Sequence, residues 1–247
     1  MKAVFHTFLL SLAMVAPASA HDNAVPARAP QPASAISAIP LMPIAARFME
    51  QRTDLRTRRS NAETWHFWRD ANRIETAKPS EGVAEIWDRD LSGRITHARY
   101  FHIDRRIIES SAGELKTRGI DADWQQLATL FDPRSAPEFR RIGNVRLLGR
   151  VASVYRHDSN GTRIEVVWLD RANLPGRVTR VTKYDRVDLR LVDLRLDSAP
   201  DWPRIDATTT GDYLRIDVAD LGDMENDPFV RKVLRIGIGG IGNPNAH

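Results

Sequence analysis

The sequence predicts an α+β protein built on a curved antiparallel sheet, a half-barrel, with short helices covering it. Three observations carry that expectation. Short segments rich in Trp, Ile, Val, Phe and Tyr recur from Thr64 onward, each bounded by turn residues. One of these turns, Ser159-Asn160-Gly161, holds the Asn-Gly pair that is the strongest short hairpin signal. The run Val-Asp-Leu-Arg-Leu occurs twice in succession, from Val187 and from Val192, and its two apolar sets have opposite parity. A flat strand would turn the second set into water, whereas a β-bulge near Leu191-Val192 brings both sets to one face and bends the strand.

The chain has 247 residues, 42% hydrophobic and 28% charged, enough to bury a sizeable core. Its net charge is +4, but the arginines are interleaved with acids, as in Arg186, Asp188, Arg190, Asp193, Arg195 and Asp197. That pattern is a mixed, solvated surface and argues against a nucleic-acid partner. There is no cysteine, which excludes disulfides, thiolate metal sites, a Cys nucleophile and a Cys-linked lipid anchor.

In chain order, Met1–Ala20 reads as a secretory leader of bacterial type. Lys2 is the positive start, Val4–Ala16 the apolar stretch and Ala18-Ser19-Ala20 the cleavage box, so export to the periplasm with cleavage after Ala20 is expected. No later segment is long and apolar enough to span a membrane. Residues 21–43, rich in Ala, Pro and Ser, form a disordered linker that cannot offset its ordering entropy. A half-barrel domain is expected over 44–200 and a C-terminal extension over 201–247.

Ile44, Phe48, Met49 and Leu55 have helical spacing, so Ile44–Arg58 is expected as a short amphipathic helix. Strands follow at Thr64–Arg69, Arg73–Ala77, Val83–Asp88 and Arg94–His102, with Arg105–Ser110 continuing the sheet. Asp121–Phe131 is expected as a helix capped by Asp121, with Trp124, Leu127, Ala128 and Phe131 on one face. Strands resume at Asn144–His157 and Thr162–Asp170. After a Leu174-Pro175-Gly176 turn they continue at Arg177–Tyr184 and Val187–Leu196. Asp227 as cap and Pro228 at the first position start a last helix through Leu234.

Chemical motifs are few. Asp88, Asp90, Ser92 and Gly93 match the front of a calcium loop, but Arg99 stands where the bidentate Glu belongs, so a hairpin turn is the reading. The acidic run Asp217, Asp220, Asp223, Glu225 and Asp227 reads as a solvated loop feeding a helix start. His21, His66, His97, His102, His157 and His247 show no metal-ligand spacing. Gly237, Gly239, Gly240 and Gly242 have no helix after them to make a phosphate cradle. No cofactor and no catalytic residue is expected. The unusual feature is the aromatic load on the strands. Trp65, Phe67, Trp87 and Trp168, with Leu189 and Leu191, are the candidate lining of an apolar hollow on the concave face.

Some stretches resemble a known family. Trp65-His66-Phe67-Trp68-Arg69 with Arg73-Ile74-Glu75 is similar to an early strand pair of the LolA/LolB-like periplasmic lipoprotein carriers. Gly149–Tyr155, then Ile164–Asp170 and Leu174-Pro175, resembles a later hairpin of that superfamily, in which a Trp-bearing strand precedes a Leu-Pro turn. The resemblance spans Ile44 to Leu196. It implies a half-barrel with a helical lid over an apolar cavity for acyl chains, in a lipoprotein carrier or an envelope-stress sensor. The extension from Asp201, with Gly222–Phe229, departs from the carriers. The expected function is therefore a periplasmic binding protein for an apolar, acyl-chain or lipidated ligand such as a lipoprotein. The alternatives are an envelope protein-interaction or regulatory module that works without a small ligand, and a metal-dependent enzyme built where Asp217–Asp227 meets a histidine.

Overall fold

The computed structural model describes residues 41–196, 202 and 204–236. The leader, all of the 21–43 linker but its last three residues, and the glycine-rich tail lie outside the described residues. Twelve strands form one open, curved sheet. They are β1 (Ile44–Asp54), β2 (Ser60–Arg69), β3 (Arg73–Lys78), β4 (Val83–Arg89), β5 (Ile95–Phe101), β6 (Arg106–Ser110), β7 (Arg140–Leu147), β8 (Arg150–Ser159), β9 (Thr162–Leu169), β10 (Leu174–Val181), β11 (Asp185–Arg195) and β12 (Leu214–Asp217). The spatial order is β12-β6-β5-β4-β3-β2-β1-β11-β10-β9-β8-β7. Two meanders, β1 to β6 and β7 to β11, thus meet where β1 pairs with β11. Every pairing is antiparallel except β12 with β6, which makes the sheet mixed rather than purely antiparallel.

The expected helix over Ile44–Arg58 is instead β1, the strand at the seam. Its helical spacing is overridden by pairing on both sides, with β2 and with β11. Ile44, Ala46 and Phe48 alternate onto one face, while Ala45 is buried on the other against Trp68 and beside Trp202.

The single strand expected over Asn144–His157 is two, β7 and β8, folded back at Leu148-Gly149. The expected Leu174-Pro175-Gly176 turn lies inside β10. Gly176 is the extra residue of a bulge there, between Pro175 and Arg177, and bulges are among the few sheet positions that tolerate proline. The bulge expected at Leu191-Val192 is present. Arg47 pairs with Asp193 and Phe48 with Leu191, so Val192 is the extra residue. Leu194 returns to the core side, while Val192 and Leu196 stay exposed.

Two six-residue helices follow β6: α1 (Ala112–Thr117) and α2 (Trp124–Thr129). The sequence reading missed α1, which is closed by a capping box of Ser111 and Glu114. Asp123, not Asp121, caps α2, accepting from the Gln126 backbone N–H at 2.8 Å. The segment Ser111–Phe139 lies over one face of the sheet, the inner face.

The C-terminal extension covers the other face first. Trp202 packs on Trp68 and His66, and Ile205 and Tyr213 pack against Ala84, Ile86, Tyr100 and Ile107. Buried Glu75 fastens this strap, accepting from the Ile205 backbone N–H and from Arg204. After α3 (Ala207–Thr210), β12 joins the β6 edge. A 3-10 turn (Val218–Gly222) and α4 (Pro228–Ile236) then pack on Phe101 and Ile108, whose parity opposes that of Tyr100 and Ile107. The extension therefore rounds the edge of the sheet from the outer face to the inner one. Asp227 caps α4 as expected, accepting from the backbone N–H of Phe229 and Val230.

Candidate functional site: the inner face and its cover

All six candidate lining residues are buried, none more than 5% exposed. Trp65, Phe67, Trp87, Leu189 and Leu191 come together in one cluster on the inner face. Register explains the row: Phe48 of β1 faces Trp65 on one side and Leu191 on the other, and Glu50 faces Leu189. Trp65 stacks on Phe48 with ring centres 4.7 Å apart, and Trp87 lies 4.2 Å from the His97 ring. Trp168 is buried apart from this cluster, with the Arg134 guanidinium 4.9 Å over its ring. The indole N–H groups of Trp65 and Trp168 have no acceptor among the described residues.

The cover is held by packing. Leu115 of α1, Ala128 of α2, and Leu130 and Phe139 beyond it sit against the aromatic row. Helices of six residues have too little length to be stable alone. Arg89 sits 4.5 Å over the ring of Trp124, at the start of α2.

The main polar fastening is Arg69, a fully buried guanidinium at the end of β2. It donates to the carbonyls of Met42, Ala128, Ala172 and Asn173 at 2.7–3.2 Å. One side chain thereby ties the chain before β1, the cover and the β9–β10 turn to β2. Burial pulls its pKa down to about 10, which leaves it charged at neutral pH. Sequence reasoning missed Arg69. The signal available was an arginine ending an otherwise aromatic strand segment, Trp65 to Trp68.

Toward its other end the inner face becomes polar. Glu50 and Arg52 pair within β1, and Glu63 of β2 accepts from Lys78 and Ser80. Glu85 of β4 lies 3.4 Å from buried Arg99 and 3.6 Å from His97. A separate open groove of about 640 Å3 lies between the β1–β2 and β10–β11 turns, lined by Arg52, Asp54, Arg59, Asn61, Tyr184 and Asp185 among others.

The other motifs have structural partners. Asp90 accepts from the Ser92 hydroxyl and Arg94 and from both backbone N–H groups, which hold its carboxyl well below the usual range. Asp217 caps the 3-10 turn, and Asp227 caps α4 and pairs with Arg106 at 2.6 Å. Burial lowers the pKa of His66 and of His102, whose Nδ1 lies 3.1 Å from the Tyr213 hydroxyl. Among the described residues no group of His, Asp and Glu is arranged to hold a metal ion.

No protein-family model matches the chain, and no curated protein matches it. Solved structures with partial likeness include PNGF-II, at 10% identity and a TM-score of 0.40, covering 73% of this chain and 32% of that one. MucB aligns at 17% identity and a TM-score of 0.37, over 68% of this chain and 58% of that one. It has also been solved in complex with the periplasmic part of MucA. An outer membrane lipoprotein-sorting protein domain from Vibrio parahaemolyticus aligns at 10% identity and a TM-score of 0.28, over 63% of this chain and 85% of that one. The chain thus spans about a third of PNGF-II and little more than half of MucB. At these values the likeness assigns neither family nor function. No helix among the described residues is long and apolar enough to cross a membrane.

Proposed function

We propose that the chain is a binding protein of the periplasm, not an enzyme, and that it takes an apolar or acylated ligand between the inner face and the cover. The observation that carries this reading is the cover itself. An apolar row of Phe48, Trp65, Phe67, Trp87 and Leu191 is closed by two six-residue helices and loops rather than by a regular packed layer. Such short segments keep their order only through contacts with the sheet and the Arg69 fastening, so they can leave it without unfolding the sheet beneath. An acyl chain entering there takes the place of Leu115, Ala128, Leu130 and Phe139, and roughly 0.8 kcal/mol for each methylene it buries offsets the apolar surface those side chains give up. The buried Trp65 N–H offers a donor for an ester or amide oxygen of the ligand.

The test is native mass spectrometry of the mature protein purified from its own envelope, with extraction of whatever dissociates, alongside binding of a hydrophobic dye. One acyl-chain species per chain, displaced by dye with a change in tryptophan emission, is the expected result.

A second reading is a protein-docking module, favoured by the complete burial of the same six residues. A protein that is empty and also silent to dye moves the weight there.

A further inference from the structure

Two neighbouring hairpins end in turns of the same backbone form. The β8–β9 turn is Asn160-Gly161, with φ 48° and 74°, and the β7–β8 turn is Leu148-Gly149, with φ 50° and 73°. Two central residues at positive φ mark the turn for which Asn-Gly is the preferred sequence. Leucine is disfavoured there, because its Cβ crowds the backbone in the left-handed region. The strained leucine is not buried for packing, since it stands at the tip in solvent. A strained, exposed apolar residue is a reason to look for function.

Its surroundings share that character. Ile142, Val145, Leu148 and Val151 fall within one hairpin and are each between 43% and 63% exposed. Val145 pairs with Ala152 and Arg146 with Val151, so Val145 and Val151 leave opposite faces of the ribbon. The Val145 side holds buried Ala152 and the packed Leu147, while Val151 and the turn leucine stand open beside Arg146 and Arg150. From Arg140 to His157 there are five arginines and no acid, unlike the alternating charges elsewhere in the chain. Arg140, Arg146 and Arg150 make no ion pair among the described residues.

We infer that the β7–β8 hairpin docks the protein on an anionic lipid surface, seating Leu148 and Val151 in the interfacial layer while Arg146 and Arg150 meet the headgroups. An exposed apolar tip flanked by unpaired cations matches a bilayer interface. A strand added along β7 fits less well. The arginines and the bulge at Ile142 are the features that discourage edge pairing. The inference is independent of any ligand under the cover.

The test is flotation with vesicles of equimolar phosphatidylglycerol and phosphatidylcholine, and with phosphatidylcholine alone. The proteins are the wild type, the double variant Leu148→Asn/Val151→Asp, and Leu91→Asp at the exposed β4–β5 turn. The wild type is expected to float with the anionic vesicles and to be released by salt, and the double variant to bind about tenfold more weakly or worse, with Leu91→Asp unchanged. All changed side chains are exposed, and an unchanged urea midpoint for Val151→Asp alone verifies the fold. No wild-type binding, or equal binding by wild type and double variant, overturns the inference. So does a concentration-dependent dimer, abolished by Val151→Asp, in a protein that ignores vesicles; that result assigns the hairpin to a protein partner. Bound-lipid content by native mass spectrometry is expected to be the same in wild type and double variant, which separates this site from the inner face.

Discussion

At one edge of the sheet β6 is covered by β12, four residues laid parallel along it, and α4 then folds over Phe101 and Ile108. At the other edge β7 runs for eight residues with β8 as its only strand neighbour among the described residues, and all but Leu147 are exposed. Both edges face the same hazard, a row of free N–H and C=O groups open to another chain. One is protected by mass, with an added strand and two packed apolar faces. The other is protected by chemistry, with arginines and a bulge, and that is compatible with remaining accessible. The covered edge adds a packed apolar cluster of its own to the fold; the bare edge is where exposed apolar side chains can be kept for a partner.

One of the two largest expected effects lies at the covered edge. Phe229 packs edge-on to Phe101 with ring centres 5.0 Å apart, and Phe229→Ala should cost about 3–5 kcal/mol in urea unfolding. A loss well under 1 kcal/mol would show that β12 and α4 are an appendage. The other is Arg69→Met, which leaves buried carbonyls on three segments without a donor at ~1–3 kcal/mol each. It should lower stability and speed hydrogen exchange in α2, and Arg69→Lys should not restore either, because a compact ammonium cannot reproduce the planar fork.

The acid limb of stability, compared between wild type and Asp227→Asn, then probes the covered edge. The Asp227 carboxyl is held below its ordinary pKa, first by the Arg106 hydrogen bond and then by the α4 backbone N–H groups. Its folded pKa lies below the unfolded one, so its contribution is full above the unfolded carboxylate pKa and is lost as pH falls through the folded one. Asp227→Asn should flatten the acid limb of stability, and an unchanged limb would remove Asp227 from the account. The smallest effect is at the bare edge. Leu148→Asn should raise stability by about 1 kcal/mol by relieving the left-handed leucine while weakening vesicle binding. A stability loss would mean that the leucine packs on something.

Much of this sheet was legible because period-two burial and turn residues are local signals. β2 to β6 and β9 lie within a few residues of their expected bounds, and the Val192 bulge could be read from parity alone. β1 was misread because its pairing with β11 is a long-range fact that sequence spacing does not carry. The Leu148-Gly149 turn was missed for the reason that makes it interesting: leucine is not a turn residue. At the candidate site, burial of the six residues was legible from their type. The cover was legible in part, as the helix over Asp121–Phe131 with Ala128 on its apolar face; that Leu115 also reaches the row was not, since the short α1 carries no helical apolar period.

The first strand of the sheet is also its seam, and this sets the order of assembly. Each meander can form from neighbours in sequence as the chain is made. β1, however, keeps one side bare until Asp185–Arg195 exists, and only then do the two halves become one molecule. Closure of such distant partners is slow, and an open seam carrying Phe48 and Met49 is a template for mispairing. A chain cut short before β11 is accordingly expected to be a client of chaperones rather than a smaller version of the protein.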